Sequence, residues 1–541
     1  MSKVKFTKNE LEDIKLIVSV GVTREQAEIT ILARRTMKSQ KKQDKKTRPK
    51  VLKNVSKSSQ NFLVEYNISL TPNKILNGAY NVVNNNPPIQ VTTSMGEELT
   101  LKWIRSFNPK AAYHRRLIIK RVNDKLEENV IGINKSFDNN LQKVHTPDNI
   151  CDDMVDLIDF SITTDIFYVF FSLEYVEALV YRKGVNPKQV KYFSDSISKS
   201  RVGTMLGVES FVLNVDEFLK GNNMPKSNNI VVIGNPPYNK NSNEKDSVPI
   251  YNNFIETIID TIAPSKFSFI VPSRWMLGGK GLDQFRERML NDFRFKKIVD
   301  FKTATNIFPG AEIAGGVNYF LWDKTHNGRC DYNGTKRMLN EHDIIIRDNL
   351  SVTIINKIIS SKEPTFMGKV SSSKPYNIRT SEPTFEAKNV DNILCLITQK
   401  IGKKFVKIDN VTNKRNDICK WKVIVPIAPI AGQTNFENEI SIFHTNNIFI
   451  LPPDEICSET YLVINSFDSY EECENFKTYI LTKFFRFVLL CRLDGQNVSQ
   501  DCYRWVPDQL DYTKTYSDEE LFEKYGLDEE EIAHINSKIK G

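Results

Sequence analysis

The stretch Ile230-Val231-Val232-Ile233-Gly234-Asn235-Pro236-Pro237-Tyr238 brings together an amide acceptor, a donor-poor turn and an aromatic face. Each proline fixes φ and removes a backbone N–H. The turn therefore presents carbonyl oxygens with few competing donors. The Asn235 side-chain oxygen and a neighbouring carbonyl, that of Pro236, can both accept hydrogen bonds. A planar exocyclic amine offers two donors that fit between them. Two acceptors on one NH2 group draw its lone pair out of ring conjugation and make the nitrogen a better nucleophile without a formal base. Tyr238 adds a face on which a base turned out of its helix can stack.

Four apolar, β-branched residues precede this turn and read as a buried parallel strand. In open α/β sheets, ligands bind beyond the carboxyl ends of the strands. Gly234 lets the backbone turn there. The plain alternative is a strand end followed by a diproline turn. Asn86-Pro87-Pro88-Ile89 shares the first three residues but has neither an aromatic nor an apolar strand directly before it, and reads as loop.

The elements that must hold such a turn lie in a chain of 541 residues with 40% hydrophobic content, which suggests two or three domains. The formal net charge of +8 is consistent with a polyanionic partner without requiring one. Cys151, Cys330, Cys395, Cys419, Cys457, Cys473, Cys491 and Cys502 are scattered. With no Cys-x-x-Cys pair and no histidine at ligand spacing, neither a zinc site nor a disulfide framework is expected. The N-terminus has no apolar leader, and no run reaches the ~18 apolar residues of a membrane span. The expectation is a soluble, cytoplasmic protein.

Residues 1–37 read as two short helices around Gly21-Val22-Thr23, and residues 38–60 as a basic, solvated linker. Residues 61–144 form a further N-terminal region that is helical and basic. Within it, Trp103 to Lys125 interleaves Arg105, Lys110, Arg115, Arg116, Lys120 and Arg121 with Phe107, Tyr113 and His114. Such a helix suits a nucleic-acid backbone, or is simply a solvated face. Thr146 is placed to cap the next helix and Pro147 to open it. Ile150, Met154, Val155, Leu157 and Ile158 then form one apolar stripe.

From here strands and helices alternate, which argues for a parallel sheet with crossover helices. Val190–Phe193 and Phe211–Val215 read as short strands, with Asp195 just past the first and Asp216 directly after the second. Acids in those positions often bind a ribose diol or an amino group of a nucleoside, and equally often cap a helix. Further strands are expected at Phe267–Val271, Ile298-Val299 and Val317–Trp322, with helices through Phe254–Ile262 and Leu282–Met289.

Residues 145–325 resemble the catalytic domain of DNA adenine methyltransferases from bacterial and phage restriction-modification systems. The motifs are Thr146-Pro147, Asn235-Pro236-Pro237-Tyr238, Val271-Pro272-Ser273-Arg274-Trp275, Phe308-Pro309 and Gly315-Gly316-Val317. Tyr503-Arg504-Trp505-Val506-Pro507 and the tail Ser517-Asp518-Glu519-Glu520-Leu521 to Lys524-Tyr525-Gly526-Leu527 are similar to the ends of such enzymes. The motif order is similar to their gamma arrangement. The resemblance implies an α/β, Rossmann-like sheet that uses S-adenosylmethionine, a C-terminal α+β target-recognition domain over 326–510, and a helical tail over 511–541. It implies Asn235, Pro236, Pro237 and Tyr238 as catalytic residues. It also implies cofactor contacts from Thr146, Pro147, Asp159, Asp195, Asp216 and Phe218. Double-stranded DNA would be met by Arg115, Arg116, Lys120, Arg121, Arg274, Lys414 and Arg415, with Arg492 and Gln496 as further candidates.

One departure concerns the glycine-rich turn that the family places after its first strand. The corresponding stretch reads as Asp159-Phe160-Ser161-Ile162-Thr163-Thr164-Asp165, without glycine. It leaves open a methyltransferase-fold protein that binds DNA without transferring a methyl group. Cytosine, RNA or a protein glutamine amide also offers an amine that fits the same acceptors. No nuclease triad accompanies the domain, so modification without cleavage is expected, with any cognate nuclease a separate chain.

Overall fold

The computed structural model describes residues 63–64, 104–123, 141–142, 144–158, 165–221, 229–241, 247–279, 281–308, 311, 313–413, 417–433, 438–493 and 495–541. The expected N-terminal helices and linker lie outside these residues, as do the second Asn-Pro-Pro copy, Asp159, Lys414 and Arg415. The chain divides into two compact units. The first comprises Met1–Val271, Arg294–Val299 and Asn318–Gly328, and the second Pro272–Phe293, Asp300–Val317 and Arg329–Gly541. Where the sequence suggested one boundary near residue 325, the two units are interleaved. No described helix is long and apolar enough to cross a membrane.

The strands of the first unit are β1 (Leu63–Val64), β2 (Leu141–Gln142), β3 (Ile166–Phe170), β4 (Val190–Ser194), β5 (Glu209–Leu213), β6 (Ile230–Gly234), β7 (Asn239–Asn241), β8 (Ser247–Pro249), β9 (Lys266–Pro272), β10 (Phe295–Phe301) and β11 (Val317–Asp323). The main sheet has the order β1-β5-β4-β3-β6-β9-β11-β10. The pairs β5/β4, β4/β3, β3/β6 and β6/β9 are parallel. Every residue of β6 is buried, as a central strand covered on both faces requires. From β3 the chain steps outward to β4 and β5, then returns to the other side of β3 as β6. The order reverses between β3 and β6, and such a switch point is where an α/β sheet opens a crevice at its carboxyl ends.

Helices α1 (Pro109–Asn123), α2 (Asp148–Asp156), α3 (Leu173–Glu177), α4 (Ile197–Met205), α5 (Val215–Leu219) and α6 (Tyr251–Thr257) accompany the sheet. Two expected boundaries move. The strand expected to run to Val215 ends at Leu213, because Asn214 caps α5 by accepting from the Glu217 amide. The first parallel strand is Ile166–Phe170, so the polar run ending at Asp165 precedes it rather than follows it. The turn that does follow is Phe171-Ser172, which also lacks glycine. Phe171 takes φ 66°, a left-handed conformation that glycine adopts at no steric cost.

The second unit is α+β. It contains the antiparallel pair β12 (Cys330–Tyr332) and β13 (Thr335–Arg337), and the three-stranded sheets β15-β14-β18 and β17-β16-β19, with β14 at Asn392–Thr398, β15 at Gly402–Lys407, β16 at Trp421–Pro426, β17 at Phe449–Leu451, β18 at Glu455–Cys457 and β19 at Tyr461–Phe467. The apolar run to Leu490 forms two helices, Tyr470–Leu481 and Lys483–Leu490. Thr482 breaks it, and its hydroxyl accepts from the Phe485 amide to cap the second. The C-terminal residues are no loose tail, since Leu521, Phe522, Ile535 and Ile539 are buried in the same core as Phe484 and Val488.

Candidate active site

Asn235 follows β6 at the switch point. Its backbone N–H donates to the Phe170 carbonyl at the end of β3, 3.2 Å away. A Cβ at Gly234 would lie 2.5 Å from that same carbonyl, so the close approach of the two strand ends requires glycine. The side-chain amide of Asn235 is fixed by two acceptors. Nδ2 donates to the Val144 carbonyl at 2.8 Å and to Thr146 Oγ1 at 3.1 Å. Both amide hydrogens are thereby engaged, and the orientation of Oδ1 is set. Oδ1 is buried and has no partner. An oriented, buried and unsatisfied acceptor costs about 1–3 kcal/mol unless something donates to it.

Thr146 takes a different part from the one expected. The N-cap position of α2 is held by Pro147, with no side-chain cap. The Thr146 hydroxyl is instead buried between Asn235 and Tyr175, whose phenol donates to it at 3.5 Å. Tyr238 is 1% exposed, and its hydroxyl lies beside the Asn235 side chain. Burial raises its pKa well above the ordinary phenol range, and the neighbouring Asn235 amide offsets only part of this. The loop closes where the Ile250 amide donates to the Tyr238 carbonyl at 3.1 Å, after the hairpin of β7 and β8. β2 pairs with β7 and brings residues near Val144 to the same place.

A chain of polar side chains continues from here. His145 Nε2 lies 2.9 Å from the Asn123 carbonyl at the end of α1. Asn123 Nδ2 donates to Glu174 Oε1 in the first turn of α3, at 2.5 Å. Asn123 Oδ1 and Glu174 Oε2 are buried without hydrogen-bond partners. Sequence reasoning missed Asn123, Val144 and Glu174. No motif marks Asn123 or the Val144 carbonyl. Glu174 could be found only by placing β3 in its true register, four residues before it.

The other expected cofactor residues are placed as follows. Asp195 is 1% exposed, just past the end of β4. Asp216 lies in the first turn of α5, exposed and 3.0 Å from Lys240. Phe218 is buried, stacked on Phe254 at 5.5 Å and tilted against Phe170 at 5.6 Å. Its ring faces are thus in the core, beside Phe171, which packs edge-on against Phe254 at 5.3 Å.

The basic helix splits into two faces. Arg116 and Lys120 are exposed, and Arg116 lies 3.4 Å from Asp148. Arg115 cannot meet a phosphate backbone where it stands: it is 2% exposed and donates to the carbonyls of Ile104 and Ser106 at 2.8 and 2.7 Å. Its charge is set against Glu177 and its guanidinium sits over the Tyr181 ring. The side chain of Arg121 lies outside the described residues. In the second unit, Arg274 is half-buried in the short turn Ser273–Met276. Arg492 is likewise no base contact, because its buried guanidinium is bonded to Asp343 and Asp501. A cavity of about 430 Å³ in the second unit is lined by Asp300, Lys302, Arg347 and Asp348 among others. Its charges are paired with one another, and it holds none of the expected site residues.

Comparison with known proteins gives the following. Residues 178–308 match the family described as Eco57I restriction-modification methylase. A relative described as an uncharacterized adenine-specific methylase, from Mycoplasma pneumoniae, is 28% identical over 173 residues, or 29% of this chain. The chain spans 40% of that relative's length. Among solved structures, the type IIG restriction endonuclease BpuSI aligns with 84% of this chain and 71% of its own at 11% identity and a TM-score of 0.37. A type I restriction-modification methyltransferase subunit from Streptococcus thermophilus aligns with 50% of this chain and 64% of its own, at 12% identity and a TM-score of 0.29. The segment that carries β6 and its loop is thus similar in sequence to restriction-modification methylases.

Proposed function

We propose that this chain is a site-specific DNA methyltransferase acting on the exocyclic amine of adenine. The observation that carries the reading is the state of Asn235: both amide hydrogens are engaged, and Oδ1 is left as a buried acceptor at the switch point. An amine entering the loop would donate to Oδ1 and to the Pro236 carbonyl. Those two bonds hold the nitrogen in place and localise its lone pair. Most of the rate enhancement would come from this positioning. Tyr238 would receive the face of the flipped base. As it is buried, entry of a base requires that whatever covers the ring move aside.

The strand ends offer a fit for S-adenosylmethionine, since unpartnered acceptors of Asn123 and Glu174 call for a ligand with N–H donors. When bound, that molecule supplies the electrophilic methyl group. Thr146, Glu174 and Asn123 would border its amino-acid end. Asp195 would lie nearer its nucleoside, and Asp216 would have to leave Lys240 to reach it. Exposed Arg116 and Lys120 would follow the phosphates of double-stranded DNA. A separate cognate nuclease and a cytoplasmic location belong to the same proposal.

A second reading is a methyltransferase-fold protein that binds DNA without methyl transfer. It is favoured by Phe171 in place of glycine after β3 and by the ring cluster around it. The test is incubation of the full chain with S-adenosylmethionine and unmethylated duplex DNA, followed by nucleoside analysis. N6-methyladenine is the expected product. Methylcytosine would move the assignment to the other amine, and no methylated base would favour the second reading.

A further inference from the structure

Three side chains at the switch point are nine-tenths or more buried and carry an acceptor that nothing satisfies: Asn123 Oδ1, Glu174 Oε2 and Asn235 Oδ1. They come from different parts of the chain. Asn123 ends α1, Glu174 opens α3 beyond β3, and Asn235 follows β6. Asn235 is accounted for by the target amine. Asn123 and Glu174 are not, although they are bonded to each other at 2.5 Å. Asn123 donates through Nδ2 to Glu174 Oε1, and together they hold two further acceptors, Asn123 Oδ1 and Glu174 Oε2, and a negative charge. Burial raises the pKa of Glu174, while its own backbone amide, Lys199 on α4 and Asn123 oppose the shift, and Asp148 on α2 adds to it. The carboxyl therefore lacks a full cationic partner. A ligand complementary to this pair is positive and carries several N–H donors on one centre. An anion would be repelled, and among the described residues no group of three or more metal-ligating side chains is present.

We infer that Glu174 and Asn123 are the seat of a primary ammonium, that of the amino-acid end of S-adenosylmethionine. The assignment rests on the methyltransferase reading and adds to it two positioning residues outside its motifs. In this account the glycine-free turn after β3 is no defect. A family that lets backbone approach the amino-acid end has here been replaced by side chains that reach it: Phe171 takes the left-handed turn, and Glu174, three residues on, supplies charge.

The test compares two ligands by calorimetry on the full chain. S-adenosylhomocysteine carries the ammonium, and 5′-methylthioadenosine has the same nucleoside and thioether without it. Glu174→Gln keeps the side-chain size and removes the charge. It should weaken S-adenosylhomocysteine by about 10- to 100-fold, the worth of a hydrogen bond to a charged group, and leave 5′-methylthioadenosine unchanged. A second measurement needs no variant. The affinity of the wild-type chain for S-adenosylhomocysteine should fall as pH falls through the raised pKa of Glu174, and that for 5′-methylthioadenosine should not. Equal losses for both ligands, or no loss for either, would overturn the assignment while leaving the methyltransferase reading intact. Failure of the wild-type chain to bind either ligand would overturn both.

Discussion

Two buried polar networks can be set side by side, one in each unit. In the second unit, Asp300 is fully occupied. Oδ1 accepts from the Ser273 hydroxyl at 2.6 Å and from Arg347 Nη2 at 2.7 Å. Oδ2 accepts from Tyr332 at 2.8 Å and Arg347 Nε at 2.7 Å. Two further guanidinium hydrogens go to the carbonyls of Gly315 and Phe301. None of these side chains has an unsatisfied buried atom. In the first unit, Glu174 and Asn123, bonded to each other, and Asn235 beyond β6 each keep a buried acceptor without a hydrogen-bond partner. Both networks join distant segments, and only one is complete. A complete network fixes a fold, whereas an incomplete one holds places for a ligand.

The largest effect should come from emptying the incomplete network at its centre. Asn235→Ala removes the amine's acceptor and should cut methyl transfer by at least about 10²-fold, by analogy with loss of one positioned hydrogen-bonding group at a transition state. Circular dichroism should show an unchanged fold. Full transfer by this variant, measured with labelled S-adenosylmethionine, would break the comparison.

Next comes the complete network, where the loss should appear in stability instead. Arg347→Ala leaves the Asp300 carboxylate buried without its cation and should destabilise the second unit by about 3–5 kcal/mol. Denaturant titration followed by tryptophan fluorescence measures it. A change below about 1 kcal/mol would mean that Asp300 and Arg347 do little for the fold.

Thr146→Val tests the link between acceptor and orientation. It takes away one of the two groups that hold the Asn235 amide and leaves an Nδ2 hydrogen unbonded, which should weaken transfer by about 1–2 kcal/mol, or roughly 5- to 30-fold. An unchanged rate would show that Val144 alone orients Asn235.

The smallest effect separates the two parts of Tyr238. Tyr238→Phe deletes a buried hydroxyl whose polar neighbour is the Asn235 amide, and should change the stability of the free protein by no more than about 1 kcal/mol in thermal unfolding. It keeps the ring, so a fluorescent adenine analogue should report the same base flipping. Tyr238→Ala should weaken that flipped state by about 1–3 kcal/mol. A larger loss of stability in Tyr238→Phe would show that the hydroxyl is firmly bonded and the first network less open than described.

The parts of this molecule that sequence made legible are those with local rules. Ile230–Gly234 announces itself as a central strand by its unbroken apolar run, and Gly234 by the turn that follows. The alternation from Val190 to Phe269 gives a parallel sheet. An element ended by a cap was harder: Asn214 ends β5 two residues early. The site was legible only where a motif marks it. Thr146 and Asn235 are motif residues, but their mutual bond joins positions far apart in sequence. Arg115 carries the charge expected of a phosphate contact, yet its neighbours on α1 turn it toward Glu177. Burial of a charged side chain is decided by packing partners that no local pattern reveals.

The most direct measurement is calorimetric titration of S-adenosylmethionine into the full chain, with and without unmethylated duplex DNA. Saturable binding at one ligand per chain is predicted, because the acceptors left open on Asn123 and Glu174 beyond β3 are places for its donors. No binding in either condition would contradict that account, and would leave the acceptors of Asn123 and Glu174 an unfilled feature of a fold that only holds DNA.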